Sequence, residues 1–72
     1  MTIEELRRVL PDWKWEAKRN GFGWVYSGRK ECRHAECYGE TVWYVREERV
    51  KLFEGPDSVA RFVDFLNQVA SQ

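Results

Sequence analysis

No run in this 72-residue chain approaches the roughly 20 consecutive apolar positions that a membrane-spanning helix requires. The first residues are acidic and helix-like, where a secretory leader would be basic and then apolar. A cytoplasmic protein is therefore expected, with no membrane partner. Cysteine is scarce: Cys32 and Cys37 are too few for the disulfide-dense scaffold of a small secreted domain. Excess charge is missing as well. Lys plus Arg and Asp plus Glu both number 12, so no overall field draws the chain toward nucleic acid or an anionic surface. There is no Gly-rich phosphate cradle, internal repeat, linker or low-complexity segment.

What is present is apolar and aromatic. Hydrophobic residues reach 43% and aromatic ones 15%, too much for a disordered segment. A chain this short supports one core, so residues 1–72 are expected to form one domain whose large rings offset the small size.

Local patterns order the elements. In "MTIEELRRVLP", Thr2 and Glu5 form a capping box, Ile3, Leu6, Val9 and Leu10 share a stripe, and Pro11 ends the helix, which predicts a helix over 3–9. "WKWEAKRNGFGWVYSG" alternates as a β-hairpin should, with Asn20-Gly21 as a two-residue turn. That turn pairs Trp15 with Tyr26 and Ala17 with Trp24, and sets all the strand rings on one face. "TVWYVREERVKLF" predicts a second hairpin with Glu47-Glu48 at its tip. Val45 then faces Val50 and Trp43 faces Leu52, while Val42, Tyr44, Lys51 and Phe53 take the other side. Glu-Glu suits the positive φ of a primed turn poorly, so a longer loop or a slipped register competes. Gly55-Pro56 closes that strand and places Pro56 in the first turn of a helix. There Val59, Phe62, Val63, Leu66, Val69 and Ala70 repeat at helical spacing. Residues 28–40 are expected to be one long irregular loop. The order α-β-β-β-β-α predicts an α+β fold: a four-stranded antiparallel sheet of two hairpins with a short N-terminal and a longer C-terminal helix on one face.

"ECRHAEC", residues 31–37, holds both cysteines and the one histidine. Zinc would need four ligands, and Cys32, His34 and Cys37 supply three, with Glu31, Glu36 or Glu40, or a site shared across the two-fold axis of a dimer, to complete them. A tight turn at His34-Ala35 would set the two cysteines within bridging range. A thiol triad of Cys32, His34 and Glu36 would need side chains that converge, and neighbours on an extended segment point in parallel. The plain reading is a polar loop with free thiols, and no cofactor or metal is expected.

Two binding sets remain. The basic residues Lys14, Lys18, Arg19, Arg29, Lys30 and Arg33 interleave with aromatic rings, the ingredients of a single-strand stacking platform. Against that reading, the last helix opens on Pro56-Asp57-Ser58 without the lysines a double-stranded RNA-binding domain uses, and the aromatic signature of RRM sheets is missing. The outer sheet face is expected to show Val25, Val42, Tyr44 and Phe53 among Lys14, Glu16, Lys18 and Lys51, an apolar centre within a charged rim. Protein binding is thus the expected function: an adaptor or inhibitor, of the size that phages and mobile elements carry, monomeric or homodimeric, with no catalysis of its own. Tyr44, Lys51, Phe53, Val42, Arg29, Lys30 and Arg33 are the expected contacts. A nucleic-acid module is the alternative.

Overall fold

The computed structural model describes residues 2–70. Helix α1 spans Ile3–Val9, and the Thr2 hydroxyl accepts from the Glu5 amide at 3.3 Å, as the capping pattern implied. Five strands follow: β1 (Lys14–Asn20), β2 (Gly23–Lys30), β3 (Arg33–Tyr38), β4 (Thr41–Arg46) and β5 (Arg49–Glu54). Helix α2, Ser58–Ala70, follows β5 and begins two residues after Pro56. The strands form one antiparallel meander in the order β1-β2-β3-β4-β5.

The fold is α+β with terminal helices, but its sheet has five strands where four were expected. The difference lies in residues 28–40, which are not an irregular loop. β2 continues to Lys30, a tight turn at Glu31-Cys32 reverses the chain, and "RHAECY" returns as β3. The turn is built with Glu31 at φ 55° rather than with glycine, so the usual marker was missing from the sequence.

The first hairpin turns at Gly21-Phe22, one residue later than expected, so each β1 residue pairs two positions further along β2. Asn20 pairs with Gly23, Ala17 with Tyr26 and Trp15 with Gly28. Asn20 does not enter the turn; its side-chain oxygen accepts from the Phe22 amide at 2.8 Å, and Gly23 takes the positive φ of 129°. An even shift leaves every side chain on its expected face. It moves the rings, however, so that Trp24 lies toward the hairpin tip and is 52% exposed. The second hairpin has the expected register, Trp43 opposite Leu52 and Val45 opposite Val50, with Glu47 accepting φ 56°.

Both helices cover one face. Leu6 and Leu10 join Trp13, Trp15, Ala35, Cys37, Val42, Tyr44, Phe53, Phe62 and Leu66 in one buried cluster. Phe62 of α2 is its hub, with ring centroids 5.9 Å from Trp13, 5.6 Å from Tyr44 and 5.7 Å from Phe53. Val42, Tyr44 and Phe53 were expected on the outer face, and that is corrected. Gly28 opposite Ala35 and Cys37 opposite Val42 carry the helix-side parity across β3 into β4, which turns those three residues inward.

Candidate binding face

The same parity exposes a different set. Lys14, Glu16, Lys18, Val25, Ser27, Arg29, His34, Glu36, Tyr38, Thr41, Trp43, Val45, Val50 and Leu52 point away from the helices, and among the described residues no element covers them. The β4–β5 half is apolar. Trp43 and Leu52 form one cross-strand pair, each 52% exposed, and Val50 opposite Val45 is 58% exposed. Tyr38 and Val25 continue this patch, and a shallow depression of about 350 Å³ lies between Tyr38, Thr41 and Trp43. Rings and branched chains gathered on an uncovered face have not found their burial among the described residues.

The β1–β3 half is charged. Lys14, Lys18 and Arg29 surround a depression of about 330 Å³ together with Glu16, Ser27, His34 and Glu36. His34 Nε2 lies 3.7 Å from Glu36 Oε1. Two carboxylates thus stand among three cations, so the surface is mixed in sign.

The expected nucleic-acid set does not come together. Lys14, Lys18 and Arg29 share the open face, whereas Arg19, Lys30 and Arg33 have helix-side parity. Arg19 lies 6.0 Å over the Trp24 ring, and Lys30 Nζ is 3.8 Å from Asp12. Trp13 and Trp15, two rings of the imagined stacking platform, are buried. Lys51 also has helix-side parity, its ammonium 4.6 Å above the Phe65 ring.

The heptapeptide is dispersed as well. Cys32 is exposed in the β2–β3 turn, His34 points to the open face, and Cys37 is buried on the helix side. The three side chains do not converge on a common centre. The proposed short disulfide falls with them, because the turn is at Glu31-Cys32 and the four strand steps from Arg33 to Cys37 alone span about 13 Å. Burial pushes the Cys37 thiol up to about 12, which keeps it protonated near neutrality.

Comparison with protein-family models, curated proteins and solved structures returns no match. The geometry therefore carries the functional reading. Among the described residues no helix is long and apolar enough to cross a membrane. Sequence reasoning missed Trp43, Val45, Val50 and Leu52 as surface residues although it paired them correctly. Their alternation was legible, but which side of the hairpin faced the helices depended on β3.

Proposed function

We propose that this protein is a small cytoplasmic binding module, an adaptor or inhibitor, that docks another protein on the open face of its sheet and performs no catalysis of its own. One observation carries the reading: the Trp43–Leu52 pair, half exposed, lies at the centre of an uncovered apolar patch. Tryptophan is the residue most often found as an energetic anchor at protein interfaces, where an apolar centre is surrounded by polar residues. Lys14, Lys18, Arg29, Glu16 and Glu36 supply such a rim on the neighbouring strands.

The test begins with affinity capture on immobilised protein, followed by titration of the purified, identified partner against Trp43→Glu. Trp43 lies outside the buried cluster and is half exposed, so the variant should fold, which a circular dichroism melt checks. Loss of an anchor worth about 2 kcal/mol corresponds to roughly thirtyfold weaker binding. A partner that binds Trp43→Glu as tightly as the parent refutes the reading.

Nucleic-acid binding is the second reading, favoured by Lys14, Lys18 and Arg29 on that same face. It requires oligonucleotide affinity that falls steeply with salt. Glu16 and Glu36 between those cations oppose phosphate, which ranks this reading below the first.

A further inference from the structure

β5 is an edge strand whose partner on its free side is missing among the described residues. In an antiparallel ladder, residues alternate between bonding the neighbour strand and pointing their amide and carbonyl away from it. Arg46 and Arg49 flank the two-residue turn and bond each other, so Arg49, Lys51 and Phe53 face β4. Val50, Leu52 and Glu54 direct their backbone groups outward. The Glu54 carbonyl accepts from the Arg61 guanidinium, which closes that end of the edge. Val50 and Leu52 are left with open donors and acceptors, a short template for another strand.

The side chains flanking that template differ sharply between the two faces. On the open face lie Val50 and Leu52, backed by Val45 and Trp43. On the helix side lie Arg49 and Lys51, backed by Arg46. Arg46 and Arg49 are direct cross-strand partners, an arrangement that costs stability unless an anion is near. None of the ion pairs among the described residues involves Arg46, Arg49 or Lys51. A groove of about 440 Å³ beside them has Tyr44, Phe65 and Val69 in its walls.

We propose that the β5 edge accepts an extended acidic peptide segment as a sixth strand, with alternating residues: carboxylates over Arg49 and Lys51 on the helix side, apolar side chains beside Val50 and Leu52 on the open face. Such strand addition takes affinity from main-chain bonds and specificity from the alternate side chains. A second copy of this chain does not fit the same edge. The antiparallel register in which Val50 and Leu52 of two copies bond each other sets Lys51 directly opposite Lys51. The open-face half of the contact rests on the docking surface proposed above; the edge and its cations do not.

The test uses the whole protein, labelled with ¹⁵N, and a capped hexapeptide of alternating valine and glutamate. Hydrogen exchange at the Val50 and Leu52 amides should slow at least tenfold at saturation. Arg49→Glu with Lys51→Glu should weaken binding at least tenfold, and so should added salt. A peptide with N-methylated backbone should not bind. Protection of Ala17 and Arg19 on β1 instead, binding that survives charge reversal, or no binding at millimolar peptide would overturn the proposal. So would protection of Val50 through concentration-dependent self-association in sedimentation, or an oligonucleotide that shifts Arg46, Arg49 and Lys51 where the peptide does not. If Trp43→Glu loses its protein partner while the peptide fails, the face reading stands and the edge reading falls. If the peptide binds while Trp43→Glu keeps its partner, the reverse holds.

Discussion

Gly28→Ala tests the packing that fixes the sheet's helix side. Gly28 lies opposite Trp15 in the β1–β2 ladder, and the indole lies across it. A methyl group at position 28 would come 2.6 Å from Trp15 Cε3 and 2.7 Å from Cη2, well inside the contact distance of about 3.5 Å for carbon atoms. The ring has little freedom to withdraw. It is stacked on Trp13 at 5.8 Å and 20°, and its Nε1 donates to the Leu10 carbonyl at 3.3 Å. Overpacking of this kind costs about 1–3 kcal/mol, against which the stiffer unfolded chain returns about 0.4–1 kcal/mol. At mid-range the net loss is about 1.3 kcal/mol, and a domain of this size should melt about 5–10 °C lower. Urea titration and thermal melts followed by tryptophan fluorescence measure it. Gly21→Ala is the control, because a methyl there meets nothing within 4 Å and the backbone φ is not positive. That variant should be neutral or slightly stabilised. If Gly28→Ala proves as stable as Gly21→Ala, Trp15 does not occupy the place assigned to it.

Two further predictions concern the rest of the sheet. At pH 8 an alkylating reagent should modify exposed Cys32 promptly and Cys37 only on unfolding, as read by mass spectrometry. Burial raises the folded-state pKa of Cys37 from 9.0 to about 12, so its contribution to stability is complete below pH 9. It is then lost by about 1.4 kcal/mol per pH unit as pH rises toward 12, because the unfolded thiol ionises first. Denaturation of Cys37→Ala should show a shallower alkaline decline than the parent, and an identical slope contradicts the assignment. Glu47→Gly should raise stability by about 0.5–1 kcal/mol, since a left-handed residue with a side chain costs about 1–2 kcal/mol and glycine's extra unfolded-state freedom removes part of that gain. A destabilised Glu47→Gly hairpin would show that the side chain, not the turn geometry, holds the tip.

The terminal helices and the second hairpin were legible because each is governed by local rules. Thr2 and Glu5 mark where α1 begins, the spacing from Val59 to Leu66 writes the buried stripe of α2, and Trp43–Leu52 pairing follows from a two-residue turn. β3 was not legible. "RHAECY" alternates only weakly in hydropathy, since its buried positions are Ala35 and Cys37 and its turn uses Glu31 rather than glycine. Missing it had consequences beyond one strand. Which face of the β4–β5 hairpin meets the helices is relayed strand by strand through register, and a loop carries no register.

What the sequence by itself determined, then, is the set of local elements, the pairing within each hairpin and the composition of each alternating row, because these depend on neighbours two to four residues apart. Only the tertiary structure decided which row is core and which is surface. Val42, Tyr44 and Phe53 went under α2 and Trp43, Val45, Val50 and Leu52 went to the open face because β3 joins the two hairpins in register. A side-chain period of two leaves both choices locally equal, and long-range pairing breaks the tie.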